Sequence, residues 1–313
     1  MARTESYNLL IAHSGLDKTI AIYNENANWM WKQMAPTIST QEAYWRALQY
    51  SDFSIAPSIG QSQSLPVEDF ETPYFKDFYP VKRALTAASS TESIQSDKAL
   101  YQIIAKTGKM LNIAVNKAFE VEASAFMNLA TDTATQSVGP DGVALASASH
   151  PYANGTTTNI LTSNPVLSQA ALETARTALI QQLSHKGDPM MFMGPFDLFV
   201  PPALISIADR AVGAATYGVA GVNTGTALGN DPNVMGTSRV RVVCNPWFTN
   251  STAWYLRCRN EEDHGLRLIT RRLPTTKVWD DEGTDSVRTG VTGIICRAVT
   301  DWRGLVYSSG AGS

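Results

Sequence analysis

The stretch that most constrains this 313-residue chain runs from about Ser96 to Ala130. There Leu100, Ile103, Ile104, Met110, Leu111, Ala114, Val115, Ala118, Phe119, Phe126 and Leu129 recur at three- and four-residue spacings, which places them on one face of a single α-helix. At 1.5 Å per residue that helix is roughly 50 Å long, about three times an average one. Gly108 lies inside it at a cost of about 1 kcal/mol relative to alanine, which makes it the place for a kink or break. The opposite face carries Lys98, Lys106, Lys109, Lys117, Glu120 and Glu122 and reads as a solvated face.

The residues before the helix behave differently, because prolines at 36, 57, 66, 73 and 80 keep interrupting any helical or strand period. One short helix is expected there, opened by Ser39-Thr40-Gln41-Glu42 as a capping box and running to about Tyr50. This irregular part holds 13 of the 28 aromatic residues, among them Trp29, Trp31, Trp45, Phe70, Tyr74, Phe75, Phe78 and Tyr79. An extended arm cannot bury those rings against itself, so they need a second surface. A neighbouring subunit and the arm's own domain are equal readings of that surface.

After the helix, residues 139–164 are turn-rich, with Asp141-Gly142 as a hairpin signal. A second helix is expected from Ser168 to Ser184, stopped by Gly187-Asp188-Pro189. The run MFMGPFDLFV then reads as a buried strand, and Pro202 suits the first turn of a helix reaching Val212. Most of the remainder is β. Alternation in Arg239 to Val243 and Trp254 to Arg259 sends arginines to one face and apolar groups to the other, while Val291 to Val299 is apolar on both faces, as in a covered sheet. The chargeless segment Ala211 to Asn230 is too polar for lipid and reads as a loop. The architecture is α+β.

Chemistry is sparse. The sequence holds no P-loop, no G-x-G-x-x-G after a strand, no H-E-x-x-H and no G-x-S-x-G. Its four histidines, His13, His150, His185 and His264, lack metal spacing, and the acidic run Asp280, Asp281, Glu282 and Asp285 lacks the ligand order of an EF-hand. No catalytic residue, cofactor or metal is therefore expected. A formal charge of -3 argues against coating nucleic acid or an acidic membrane by net charge. Cys244, Cys258 and Cys296 form no C-x-x-C pair and read as free thiols. The first residues lack the apolar core of a secretory signal, so a cytoplasmic location is expected.

From Asp141 to Leu204 the order of motifs becomes specific. DGVALASASHP at Asp141 to Pro151 is followed by a Gly/Thr/Asn turn, then LSQAALETA from Leu167, KGDP from Lys186 and DLFVPPAL from Asp197. In combination these resemble the major capsid (head) proteins of tailed bacteriophages, most closely the Mu-like type. NPWFTNSTAWYLRC and VTGIICRAVTDWRGLVYSSG also look like the family's late strands, and the similarity covers roughly two thirds of the chain, from Ser96 onward.

The resemblance implies a fold shared with herpesvirus capsid floors and encapsulins. Its parts map here as an N-terminal arm at 1–50, an extended β-hairpin loop at 51–95 and a peripheral domain at 96–161 and 273–313. The spine helix is 96–130, and the axial domain is 162–272. It implies a structural, non-enzymatic protein that self-assembles as hexamers and pentamers into an icosahedral head around double-stranded DNA. DNA would be packaged without sequence-specific binding, and no membrane is involved. A separate scaffold, a portal and cement proteins are expected partners; a large fused scaffolding segment is not expected in this chain, and trimming before Met1 is the alternative to a separate scaffold. The location is the virion, after assembly in the host cytoplasm. Trp29, Trp31, Trp45, Phe70, Tyr74, Phe75, Phe78, Tyr79, Arg257 and Arg259 are the candidate intersubunit contacts. An encapsulin-like, protein-filled compartment is the alternative. A cytosolic hydrolase using His150 and a nearby acid is the third reading.

Overall fold

The computed structural model describes residues 29–61, 63–69, 74–90, 92, 100–133, 136–213, 216–217, 231–232, 239–281 and 283–312. Expectations for Lys98, Phe70 and most of the chargeless loop lie outside these residues. In chain order the elements are α1 (Trp31–Met34), β1 (Thr37–Ser39), β2 (Trp45–Gln49), β3 (Tyr74–Phe78), β4 (Val81–Ser90) and the long α2 (Leu100–Asn128). Then come β5 (His150–Tyr152), β6 (Gly155–Thr157), α3 (Gln169–Ile180) and β7 (Phe196–Val200), followed by a 3-10 turn at Pro202–Leu204 and α4 (Ile205–Gly213). The last are β8 (Thr216–Tyr217), β9 (Asp231–Pro232), β10 (Val240–Cys244), β11 (Trp254–Cys258), β12 (Leu266–Asp281), β13 (Ser286–Val299) and β14 (Leu305–Ser308).

The described residues form two compact units. One comprises the chain up to Trp45 with Phe78–Ala123 and Leu268–Arg297; the other comprises Arg46–Asp77, Ser124–Arg267 and the residues from Ala298. Residues 298–312 cluster with the second unit, because β14 pairs antiparallel with β11. Only Leu268–Arg297 returns to the unit that holds most of the long helix.

The first unit is built on a four-stranded sheet in the order β1-β12-β13-β4. Strand β1 runs parallel to β12, with Thr37 opposite Leu268, and β4 runs antiparallel to β13, from Val81 opposite Ile295 to Ser90 opposite Ser286. Thus β4 finds its long partner in β13, while β3 pairs with β2. The helix expected over Ser39 to Tyr50 is absent. Ser39 ends β1, Trp45–Gln49 is a strand, and the Thr40 side chain rather than Ser39 accepts the Glu42 N–H. A capping box stabilises only its own turn, and two strand pairings to distant segments outweigh it.

Helix α2 is continuous through Gly108. Leu111, Val115, Phe119 and Ala123, four residues apart, are buried along it. Gly293 of β13 lets the helix approach: a Cβ there would lie 2.7 Å from Phe119 Cζ. On the other side of the ring, Trp31 meets Phe119 edge-on at 5.7 Å. Lys106, Lys109 and Lys117 are exposed as expected, but Glu120 and Glu122 are buried. The solvated reading fails for both carboxylates because each has partners. Glu122 accepts from Arg83 at 3.0 Å and Arg297 at 2.8 Å. Glu120 accepts the backbone N–H groups of Met30 and Trp31 at the start of α1, and its burial pushes the carboxyl up to about 7.

The second unit holds the sheet β10-β7-β11-β14. All five residues of β7 and of β11 are buried. Helix α3 starts where the Ser168 hydroxyl accepts the Ala171 N–H, and it buries Leu172, Ala175 and Leu179 in one core with Phe196, Leu198, Trp254, Leu256 and Val306. The polar face of this sheet centres on Asp197 of β7. Arg241 of β10 and Arg257 of β11 stand opposite it in register. Arg241 donates to its two oxygens at 3.0 and 2.8 Å, Arg257 at 3.0 Å, and Arg259 at 2.9 Å. Burial would raise the Asp197 carboxyl, but the three guanidiniums outweigh it and hold the group below its ordinary value.

Two measurements check these buried carboxylates. Asp197→Asn strands the Arg257 charge in the sheet and should cost about 3–5 kcal/mol of unfolding free energy in urea; a loss under about 1 kcal/mol, the value of an exposed pair, contradicts the arrangement. For Glu120 the fold favours the protonated form. Its contribution is therefore complete below the ordinary value of 4.5 and is lost as pH rises through about 7. Glu120→Gln should raise Tm over the unmodified protein at pH 8 and change it little at pH 5, and an equal shift at both pH values refutes the assignment.

Candidate functional site

Residues 50–61 and 63–69 form neither helix nor strand, as Pro57 and Pro66 dictate. Their backbone is held at the base of the segment instead. The Glu68 carboxylate accepts the Ser54 N–H at 2.8 Å and the Ser54 hydroxyl at 2.9 Å, and Lys186 pairs with it at 2.8 Å. The hydrogen bond from Lys186, followed by those from Ser54, draws the Glu68 carboxyl down to about 2, so the bracket is charged at any physiological pH. Close by in sequence, the Asp52 carboxylate accepts the His185 N–H at 3.4 Å, and Tyr74 meets the His185 ring edge-on.

Between these brackets the segment shows apolar groups to solvent. Ile55, Leu65 and Val67 are 78%, 79% and 91% exposed, which is the reverse of what a chain folding only for itself would do with branched aliphatic side chains. At the adjoining β2 and β3, Arg46 forks onto Asp77 at 2.7 and 2.8 Å and lies 5.1 Å from the centre of the exposed Phe75 ring. The rigid pair of strands thus displays Phe75.

Of the ten residues singled out from the sequence, the nine that are described separate into different environments, and Phe70 lies outside the described residues. Trp31, Phe78 and Arg257 are buried within the chain, and Trp29, Trp45 and Tyr74 are partly buried. Phe75 and Tyr79 are exposed, the latter 6.1 Å from Tyr44 between ring centres. Arg257 and Arg259 both meet Asp197 of their own chain, so their alternation marked a face of the sheet that already has a carboxylate. Sequence reasoning passed over Ile55, Leu65 and Val67. The available signal was scattered aliphatic residues around Pro57 and Pro66 with no period to place them in a core.

His150 does have the nearby acid that a hydrolase reading asked for: its Nδ1 lies 2.8 Å from Asp141 Oδ2, so the ends of the DGVALASASH motif close on each other. Gly142, at φ +76°, and a hydrogen bond from Gly139 N–H to the Val143 carbonyl make the turn between them. However, the imidazole and the carboxylate are 0% and 2% exposed, and the ring stacks on Trp302 at 4.1 Å. A general base needs reach to a substrate, and this imidazole is sealed into the fold. His264 is also buried, which with Arg257 and Arg267 lowers it to about 2, leaving a neutral ring that accepts the Leu266 N–H.

Burial, first of all, pushes the Cys258 and Cys296 thiols up to about 12, which makes them poor nucleophiles. In the acidic run, Asp281 accepts from Thr284 and Gly283 and pairs with Arg288. Among the described residues, no group of three or more His, Cys, Asp or Glu side chains is placed to hold a metal ion. None of their helices is long and apolar enough to cross a membrane.

The family described as phage capsid protein matches residues 77–308. No curated protein sequence matches. Among solved structures, a phage-related protein from Bordetella bronchiseptica is similar with a TM-score of 0.55 at 13% identity, covering 95% of this chain and 97% of that one. The capsid of an empty GTA particle has a TM-score of 0.54 at 11% identity, covering 90% of each chain. An encapsulin complex from Synechococcus elongatus has a TM-score of 0.51 at 9% identity, covering 90% of this chain and 88% of that one. These TM-scores establish the shared fold. With most of the sequence inside the matched family, the chain belongs to the phage capsid protein family and is a structural protein of the capsid shell.

Proposed function

We propose that copies of this chain assemble as hexamers and pentamers into a closed icosahedral head around double-stranded DNA, with segment 50–69 laid on a neighbouring copy. The observation that carries this reading is the apolar series Ile55, Leu65 and Val67, exposed on a segment whose base is fixed by the Ser54, Glu68 and Lys186 bracket. A pinned base lowers the entropy lost when the tip docks, and aliphatic groups removed from water supply the driving force. Phe75 and Tyr79 are the aromatic candidates for the same kind of contact. The motifs from Asp141 to Leu204 support the Mu-like type.

The remaining partners follow from the container role. A separate scaffold, a portal and cement proteins would act on the shell in the host cytoplasm, and the net charge of -3 suits a wall that holds DNA without gripping it. The encapsulin-like alternative is favoured by one observation, the fold likeness to the Synechococcus elongatus complex. The content of purified particles separates the two: double-stranded DNA supports the head, and protein cargo without nucleic acid supports the compartment.

Assembly itself is tested by Ile55→Asp, Leu65→Asp and Val67→Asp combined. The exposed positions predict a folded subunit with unchanged Tm that no longer forms closed particles in negative stain. Normal particles from the triple variant would remove the segment from the mechanism.

A further inference from the structure

The polar face of the second unit's sheet carries more positive charge than its fold uses. Arg241, Arg257 and Arg259 share the single buried carboxylate of Asp197. Arg257 is spent inside the protein, buried with its guanidinium 4.7 Å from the centre of the Phe199 ring. Arg241 and Arg259 are not, with side chains 46% and 34% exposed. Arg241 gives Nε and Nη2 to Asp197, and Arg259 gives Nε to Asp197 and Nη2 to the Phe196 carbonyl. The Nη1 group of each has no hydrogen-bond partner among the described residues. A guanidinium presents five N–H donors, so each keeps three, two of them on Nη1, for a further acceptor.

Arg241 and Arg259 both line one open cavity of about 430 Å³, between β10 and the end of α4, whose other walls include Asp209, Val212, Val240 and Val242. Three arginines against Asp197 and Asp209 leave a net charge of +1 around it. Fixed, forked donors with surplus positive charge and partly apolar walls suit a small oxyanion, which accepts several charge-assisted hydrogen bonds at once. We propose that this cavity is an oxyanion-binding site of the phosphate class, with Arg241 and Arg259 as its ligands. Asp209 tempers its affinity through like-charge repulsion. The site does not depend on the shell reading: it belongs to one subunit and would be occupied with or without assembly.

The test uses the full-length protein with inorganic phosphate as the probe, by thermal melting and isothermal titration against sodium chloride at matched ionic strength. A saturable rise in Tm with phosphate is expected, because a ligand that binds only the folded state stabilises it. Asp209→Asn, at an exposed position, should tighten phosphate binding severalfold. Arg259→Gln should abolish it, and Arg241→Lys, which keeps the charge and loses the fork, should weaken it. Equal melting in phosphate and chloride overturns the proposal, as does an affinity unchanged by Asp209→Asn. A short DNA duplex serves as a second arm. If it shifts Tm with steep salt dependence while phosphate does not, the surplus charge meets nucleic acid rather than a free oxyanion, and the proposal fails.

Discussion

The first unit hangs on the buried face of one helix, where ordinary apolar packing is combined with two carboxylates that water cannot reach. Phe119 fixes the spacing, seated between Trp31 and the bare backbone of Gly293. Glu122 and Glu120 then fix the orientation. The first ties the helix to β4 and β13 through Arg83 and Arg297, and the second ties it to the opening backbone of α1. A buried charge is tolerated only where it is paired, as Glu122 is by two guanidiniums, whereas Glu120 sits against backbone N–H groups in a site that favours its protonated form.

The second unit solves a similar problem in a different way. Its sheet is covered on one face by α3 and its apolar core, and the other face is organised by charge around Asp197. One carboxylate in the middle strand reaches guanidiniums on both neighbours because β10 and β11 bring Arg241 and Arg257 to the same register position. The structural role of His150 is comparable, since its pairing with Asp141 and stacking on Trp302 close a turn-rich segment that has little secondary structure to hold it.

What could be read from the sequence was local. The long helix, the helix expected from Ser168, the apolar run of β7 and the proline at the start of the next turn are signals carried by neighbouring residues, and each corresponds to an element. Residues 39–50 misled because a capping box is also local, whereas the pairings of β1 with β12 and β2 with β3 are not visible in any window. Glu120 and Glu122 misled for a related reason: a helical period assigns faces by residue type, and a carboxylate with buried partners has the same letter as a solvated one. Arginine alternation was legible as a face of a sheet, but not Asp197 as the group it turns toward. The exposed aliphatic residues of 50–69 belong to no period at all, which is why their role emerges only from their accessibility.

The far-flung pairing of β1 and β4 also has a temporal side. Thr37–Ser39 waits for Leu268–Thr270, and Val81–Ser90 waits for Ser286–Ile295. During synthesis β1 and β4 therefore have no native edge to join until residues 268–295 have left the ribosome, and non-local pairing of this kind closes slowly. A chain stalled before Leu268 cannot complete this sheet. The topology thus places the closure of this sheet late in synthesis, whereas the segment that shows its apolar groups to solvent belongs to the second unit and does not wait for it.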